Sequence, residues 1–234
     1  MIEFSASIDA ALGLVAAGDP RLLGIVGLSL RVSLLAVFLA ALCALPFGAA
    51  LAVGNFPGRH ALVVAVNGFM GLPAVVIGLV VYLLLSRAGP LGALGILFTP
   101  TAMTIAQAIL VAPLIAAMTR QIVADAWREY QELLSSLDAR TWQAAATLLW
   151  DTRHSLFTVL LAGFGRAISE VGAVMIVGGN IDGVTRVMTT TIALETSKGD
   201  LPLALALGLI LIGLVLTINA LAFVTREWAQ RKFG

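Results

Sequence analysis

Charged residues are scarce in this 234-residue chain, at only 12%, whereas 60% of its residues are hydrophobic and the mean hydropathy is +1.02. A soluble domain of this length needs far more charge to cover its surface. The composition therefore predicts an integral membrane protein. The formal net charge is only +1, and no basic cluster with interleaved aromatic residues is present, so we expect no nucleic-acid partner.

Residues that hold metals or activate nucleophiles are also nearly lacking. Cys43 is the only cysteine, which excludes a disulfide framework and a thiol metal cluster. Neither His60 nor His154 begins a His-Glu-x-x-His motif, and the chain has no Gly-x-x-x-x-Gly-Lys-Ser/Thr phosphate loop. These absences disfavour an intramembrane enzyme and an ATPase, and we expect no metal and no cofactor in this chain.

Long apolar runs are abundant. A helix needs about 20 apolar residues to cross a bilayer. Residues 1–21 carry three acidic residues and resemble no cleavable signal peptide, so we expect an external segment with a short interfacial helix at 6–17. Five segments are long enough to span: 28–53, 61–86, 99–119, 156–178 and 202–224.

The distribution of basic residues predicts the orientation of these spans. If the polar loop 120–155 is cytoplasmic, the basic residues outside are Arg21, Arg87, Arg186 and Lys198. Those inside are then Arg59, Arg120, Arg128, Arg140, Arg153, Arg226, Arg231 and Lys232. This bias agrees with the positive-inside rule. The N-terminus is expected outside, and the tail 226–234 in the cytoplasm.

Two opposite charges interrupt the fourth apolar segment. Arg166 and Glu170 are four residues apart, which places them on one face of a continuous helix, where they can offset one another. Charges at the middle of a span cost about 2.5–3.5 kcal/mol each on insertion scales, so they normally face protein or water. A structural ion pair between helices and a polar seam along a transport pathway both remain open. An ion-coupled carrier or channel is a rival of another class.

The loop 120–155 contains neither glycine nor proline, which is unusual for a connection of this length. Helix-forming residues dominate it, with Leu133, Leu134 and Leu137 among charged residues. One interpretation is a solvated helix pair packed on its own membrane domain. The other is a docking helix for a partner protein, with Trp142 and the leucines in contact.

The same loop resembles the cytoplasmic signature of ABC importer permeases, in which Glu-Ala-Ala is followed by Gly six residues after the Glu and later by Leu-Pro. Residues 132–143 follow its outline, with departures: Leu133-Leu134 replaces the alanine pair, Asp138 replaces the glycine, and Trp150-Asp151 replaces Leu-Pro. The resemblance implies that 132–143 form a coupling helix that fits a groove in an ATPase. Its implied coupling residues are Glu132, Leu137, Asp138, Ala139 and Trp142.

A more specific resemblance covers residues 163–200. The run Gly-Phe-Gly-Arg-Ala-Ile-Ser-Glu-Val-Gly-Ala-Val-Met-Ile-Val-Gly-Gly-Asn-Ile, at 163–181, is followed by Thr185-Arg186 and by Thr-Thr-Thr-Ile-Ala-Leu-Glu-Thr-Ser-Lys-Gly-Asp at 189–200. It is similar to the permeases of tungstate-uptake systems, which are relatives of molybdate and sulfate permeases. Over residues 22–225, the resemblance implies an all-α membrane protein with the type I ABC importer fold. Molybdate, sulfate or another anion remains an alternative cargo to tungstate.

The resemblance also implies the partners: a second permease copy in a homodimer, two ABC ATPase subunits that bind ATP-Mg, and an extracytoplasmic substrate-binding protein, in the lipid of a prokaryotic cytoplasmic membrane. A dianion in transit needs hydrogen-bond donors or positive potential, but only weak binding. Two candidate stretches have an alternative to a role in a cargo site: Gly-Gly-Asn at 178–180 is a helix end, and the threonine run is a helix start. A permease without a tight cargo site of its own is a further alternative. The candidates for the pathway or a structural ion pair are Arg166, Ser169, Glu170, Asn180, Thr189, Thr190 and Thr191.

Overall fold

The structure, a computed structural model, describes the backbone of residues 2–233 and the side chains of residues 8–221, 223 and 224. Over 2–233 the chain contains ten α-helices and one 3₁₀ turn, and no β-strand. The predicted all-α class is confirmed. The basic side chains of the predicted cytoplasmic tail, 226–234, lie outside the described residues.

The helices differ in length from about two turns to about ten turns. They are α1 (Ile2–Ala17), α2 (Pro20–Val53), α3 (Arg59–Phe69), α4 (Ala74–Leu85), α5 (Pro100–Ser136), α6 (Thr141–Asp151), α7 (Arg153–Ile168), α8 (Gly172–Gly178), α9 (Met188–Lys198) and α10 (Leu201–Phe233). Three of them, α2, α5 and α10, are long and apolar enough to cross a membrane. The pairs α3–α4 and α7–α8 pass the same test as interrupted spans, which gives up to five spans at the predicted places.

The second predicted span is interrupted between α3 and α4. Pro73 directly precedes α4, and its carbonyl oxygen accepts hydrogen bonds from the backbone N–H groups of Val76 and Ile77. Proline has no N–H to donate to a preceding turn and disfavours helical geometry in the residue before it. Pro73 therefore suits the first position before a new helix, whereas Pro46 and Pro113 lie within continuous helices.

The fourth predicted span is interrupted as well, and here the sequence contains no proline. Helix α7 ends at Ile168, and α8 begins at Gly172. The prediction that Arg166 and Glu170 share one face of one continuous helix is therefore wrong, because Arg166 belongs to α7 and Glu170 lies in the break. Backbone groups at such a break lose their helical partners, so other groups must satisfy them.

The chain forms two compact units, each assembled from three stretches. Unit 1 contains Met1–Ala36, Pro73–Gln107 and Ala167–Thr217, and unit 2 contains Val37–Leu72, Ala108–Arg166 and Ile218–Gly234. The predicted boundaries at residues 21 and 225 concern placement relative to the membrane, and they stay predictions.

Unit 1 is packed around α4 and α8, whose backbones approach closely. A Cβ added to Gly78 of α4 would lie 2.7 Å from the Cα of Ala173 in α8, and one added to Gly172 would lie 2.7 Å from a methyl group of Val75. Small residues allow this approach between membrane helices. The buried side chains of this core are Val81, Leu85, Ala102, Ala106, Ala173 and Val177.

Unit 2 has its own core, formed by the C-terminal part of α2, the middle of α5 and the buried face of α6. Its buried residues are Ala49, Ala52, Val53, Val123, Ala144 and Leu148. Arg59 closes the end of α2: its Nε donates to the carbonyl of Leu51 at 2.7 Å, and its NH2 donates to that of Ala52 at 3.2 Å. A cation at this position satisfies terminal carbonyls and complements the helix dipole.

Candidate coupling segment and polar cluster

The predicted coupling segment, residues 132–143, lies in unit 2 and is divided between two helices. Helix α5 contains the first part and ends at Ser136, and α6 begins at Thr141. The prediction that the glycine-free loop is helical is confirmed. The single coupling helix implied by the resemblance is instead the end of α5, a short turn and the start of α6.

Asp138 gives the turn its geometry. Its φ is 52°, in the left-handed region that favours glycine. The backbone N–H of Asp138 donates to the Ser135 carbonyl at 3.1 Å, and that of Ala139 donates to the Leu134 carbonyl at 3.0 Å. Such bonds satisfy the last carbonyls of a helix. The position where the resemblance places glycine thus has the backbone conformation that glycine adopts most easily.

The segment exposes large apolar side chains. Leu137 is 68% exposed and Trp142 is 66% exposed. Glu132 and Asp138 are exposed as well, while Ala139 is half-buried. Exposed apolar groups clustered on one surface, with polar residues around them, are typical of a binding site for another protein. Four of the five predicted coupling residues are therefore exposed, within one short stretch of unit 2.

The polar cluster of unit 1 surrounds the break before α8. The Glu170 side chain is 5% exposed, and its Oε1 accepts a hydrogen bond from the backbone N–H of Ala173 at 3.3 Å. The Glu170 carbonyl accepts from the hydroxyl of Thr189 at 2.7 Å. The side chain of Glu170 therefore accepts from a backbone N–H, and its carbonyl accepts from a side-chain hydroxyl. In a continuous helix, both backbone groups would have been paired within the helix.

Gln107 of α5 completes the cluster, and the sequence reasoning missed it. Its side chain is 3% exposed, and its Nε2 donates to the carbonyl of Ala167 at 2.9 Å, just before the break. The available signal was a lone amide within an apolar span. Polar side chains at such depth normally have a specific partner.

The three predicted threonines form the start of α9 and are 6%, 0% and 0% exposed, in chain order. The Thr190 and Thr191 hydroxyls both donate to the carbonyl of Val187, at 3.1 and 2.6 Å. A hydroxyl has one proton, and those of all three threonines are donated to backbone carbonyls. The interpretation of the run as a helix start is confirmed.

Gly-Gly-Asn at 178–180 is also a helix end, as one interpretation had it. Helix α8 ends at Gly178, and both Gly179, with φ 70°, and Asn180, with φ 50°, are left-handed. The Nδ2 of Asn180 donates to the carbonyl of Thr190 at 3.4 Å, which ties the end of α8 to the start of α9.

Arg166 and Ser169 differ from the rest of the predicted pathway residues, because both are exposed. Arg166 belongs to unit 2, and Ser169 belongs to unit 1 together with Glu170 and the threonines. The predicted set therefore separates into two exposed residues and five buried or half-buried residues that bind backbone groups.

No family model matches the chain, but proteins of similar sequence span nearly all of it. A tungstate uptake system permease protein, TupB, of Peptoclostridium acidaminophilum is 42% identical over 218 residues, which are 93% of this chain and 96% of the relative. A probable anion ABC transporter permease protein of Haloferax volcanii is 40% identical over 91% of this chain and 94% of its own length. The TupB of Campylobacter jejuni is 34% identical over 74% of this chain and 71% of its own.

The chain belongs to this family of ABC transporter permeases. The resemblance on which the sequence analysis relied is confirmed, and sulfate permeases are more distant relatives. As a family member, the chain is a multi-pass membrane permease subunit of an ABC transporter. Among the side chains that the structure describes, no group of three or more His, Cys, Asp or Glu is placed to hold a metal ion.

Proposed function

We propose that this permease moves tungstate into the cytoplasm as the membrane subunit of an ATP-driven importer. The observation that carries the proposal is the 42% identity, over nearly the whole of both chains, to a protein named for tungstate uptake. The sequence contains no phosphate loop, so ATP-Mg must be bound and hydrolysed by a partner subunit.

The complete transporter would contain two permease copies, two ABC ATPase subunits and an extracytoplasmic substrate-binding protein. Its relatives support a multi-pass protein of the prokaryotic inner membrane. The bias of basic residues supports an external N-terminus and a cytoplasmic C-terminus. Exposed apolar side chains along the spans, such as Phe38 at 60% and Leu216 at 64%, support contact with lipid or with the second permease copy.

The ATPase would dock on the coupling segment. Leu137 and Trp142 supply apolar contact area, Glu132 and Asp138 supply negative charge beside it, and Ala139 allows close approach. When the ATPase pair closes on ATP, its contact with the coupling segment would displace α5 and α6. The movement would alternate access to a central path, as a rigid-body change between packed helices.

The cargo path would pass the break between α7 and α8. Exposed Arg166 would supply positive potential, and exposed Ser169 would supply a hydroxyl donor. Glu170 and Thr189 would contribute by stabilising the break, through hydrogen bonds with backbone groups. Asn180, Thr190 and Thr191 would contribute by fixing the end of α8 and the start of α9.

The experiment that tests this proposal measures cellular tungsten, molybdenum and sulfur by mass spectrometry. Two strains are compared at trace supply of all three oxyanions: one makes the complete transporter, and the other lacks only this permease. Loss of tungsten alone supports the proposal. Loss of tungsten and molybdenum together replaces it with a shared oxyanion importer, and loss of sulfur alone replaces it with a sulfate importer.

A permease with Gly213→Ala is the matched control, because a Cβ at this helical glycine would meet no atom within 4 Å. It should restore tungsten content fully. A complemented strain in which no oxyanion content changes would overturn the cargo assignment but leave the family membership intact.

A further inference from the structure

Two arginines of unit 1 share one carboxylate. Oδ1 of Asp182 lies 3.0 Å from NH1 of Arg186, and its Oδ2 lies 3.4 Å from NH2 of Arg21. Arg21 is at the beginning of α2, whereas Asp182 and Arg186 belong to the connection between α8 and α9. Two positive charges against one negative charge leave the cluster with a net charge of +1.

The three side chains differ in exposure in a way that favours binding. The Arg186 side chain is only 10% exposed, and its Nε is buried without a hydrogen-bond partner among the described residues. The Asp182 and Arg21 side chains are 58% and 54% exposed. A buried guanidinium donor left unsatisfied is unfavourable, so this cluster has the capacity to bind a further anionic oxygen.

The backbone around Arg186 is held in place before any anion arrives. The Thr185 hydroxyl donates to the Gly178 carbonyl at 2.6 Å and accepts from the N–H of Ile181 at 2.9 Å. The backbone N–H of Arg186 donates to the Ile181 carbonyl at 3.1 Å. This fixed connection places the arginine without a large ordering cost on binding. The Asp182 carboxylate is itself exposed, so it can turn toward solvent when an anion takes its place beside Arg186.

The charges match a dianion better than they match a carboxylate. A guanidinium presents N–H donors in a planar fork that suits oxyanion oxygens. A dianion between two guanidinium groups neutralises both, whereas the Asp182 carboxylate neutralises only one of them. Since the carboxylate competes for the same donors, a bound dianion is held weakly enough to leave, which transport requires.

We propose that Arg21, Asp182 and Arg186 form a receiving site for a tetrahedral oxyanion dianion on the extracytoplasmic side of the permease, with the Asp182 carboxylate occupying the site until the dianion displaces it. The cargo and the orientation rest on the proposed function, since both arginines are on the side predicted to be external. The site shares no residue with the polar cluster at the α7–α8 break.

Binding of tungstate to the purified permease–ATPase complex in lipid nanodiscs, without the binding protein, tests the site. Equilibrium dialysis with tungsten measured by mass spectrometry gives the Kd. Arg186→Gln should raise the Kd about tenfold or more, because charge-assisted hydrogen bonds are lost. Asp182→Asn should lower it about tenfold, because the competing carboxylate is removed. Arg186→Lys, which keeps the charge but not the fork, should fall between wild type and Arg186→Gln.

Two variants control for charge alone. Arg87→Gln removes a cation and Asp200→Asn removes an anion, both from exposed residues on the same predicted side. Each should change the Kd by less than about twofold, because exposed charges at a distance are screened. Thermal unfolding of every variant identifies those that do not fold. If Arg186→Gln does not fold, the Kd values of Arg186→Lys and Asp182→Asn decide between the site and its absence.

Several results would overturn the site. These are no binding of tungstate, molybdate or sulfate by the folded wild type, equal Kd values in the wild type, Arg186→Gln and Asp182→Asn for every oxyanion that binds, a higher Kd in Asp182→Asn, or equal changes in the control variants. If wild-type cells import tungsten and the Kd is the same in the wild type and in the variants of Arg186 and Asp182, the site fails while the proposed function stands. If sulfate or molybdate shows the variant pattern and tungstate does not, the site stands while the cargo assignment fails.

Discussion

The coupling segment and the polar cluster at the α7–α8 break both depart from the usual burial of apolar and exposure of polar side chains. The cluster buries polar groups, whereas the coupling segment exposes large apolar ones. The cluster buries Glu170 at 5% exposure, in a stretch predicted to cross a membrane, and the connection that follows it buries Thr190 and Thr191 at 0%. The coupling segment exposes Leu137 and Trp142 at 68% and 66%, in a stretch predicted to face water. Each is unfavourable unless something compensates it.

The compensation differs between the two regions. In the cluster it is internal, because Thr189, Glu170 and Gln107 bind backbone groups on both sides of the break. In the coupling segment the large apolar side chains remain exposed in the single chain. The buried polar groups therefore explain the fold, whereas the exposed apolar groups point to a partner. This contrast yields three predictions, which concern coupling, break stability and turn strain.

Trp142→Ala should have the largest effect of the three. Truncation of an aromatic side chain at the centre of an interface costs about 2–4 kcal/mol, which corresponds to about 30-fold to 1,000-fold in affinity. We expect ATPase subunits to bind the variant permease this much more weakly and to lose transport-coupled hydrolysis. Binding between purified permease and ATPase, followed by the hydrolysis rate in vesicles, measures both.

Trp150→Ala is the matched control, because Trp150 is on the same helix and is 72% exposed but lies outside residues 132–143. It should leave ATPase affinity within about twofold of wild type. Equal losses in the two variants would show that general apolar exposure on α6, and not the coupling segment, governs docking. Unchanged ATPase affinity in Trp142→Ala would contradict the proposal that the exposed apolar side chains of the coupling segment bind the ATPase.

Thr189→Val should destabilise unit 1 without any effect on ATPase affinity. Valine keeps the branched shape but leaves the buried Glu170 carbonyl without its donor, which costs about 1–3 kcal/mol. Thermal unfolding in detergent measures the loss. Thr217→Val is the control, because Thr217 is exposed and its hydroxyl donates to Gly213 within α10, so its effect should stay within about 0.5 kcal/mol. Equal stability of Thr189→Val and wild type would show that the break does not need this bond.

Much of the fold was predictable because it depends on local composition. The spans follow from apolar runs of about 20 residues, and the helical coupling loop follows from its lack of glycine and proline. The start of α5 was also predictable: Pro100 is its first residue, and the preceding Thr99 hydroxyl accepts an N–H of the first turn at 3.4 Å.

The break before α8 was not predictable, because its causes are distant in sequence. Gln107 and Ala167 are 60 residues apart, and Thr189 and Glu170 are 19 apart. No proline marks the position, and the four-residue spacing of Arg166 and Glu170 suggested a continuous helix. The pathway role of these residues therefore stays a prediction, and the partners of the buried ones, backbone carbonyls and N–H groups, could be identified only from the fold.

Asp138→Gly should have the smallest effect, and it concerns the turn that divides the coupling segment. Asp138 has φ 52°, where a residue with a Cβ is strained and glycine is not. Relief of this strain should stabilise the permease by about 0.5–1 kcal/mol. A higher thermal unfolding midpoint in detergent measures the gain, and Asp138→Ala, which keeps the Cβ, should show no gain.

ATPase coupling separates strain from contact at the same position. If Asp138 only shapes the turn, then Asp138→Gly keeps the path of the backbone and should leave ATPase affinity unchanged, since Leu137 and Trp142 remain in place. A fall in affinity together with a rise in stability would mean that the exposed carboxylate itself binds the ATPase and that the strain is retained for that contact. A fall in stability would contradict the assignment of strain to this residue, because glycine adopts the observed φ without steric cost.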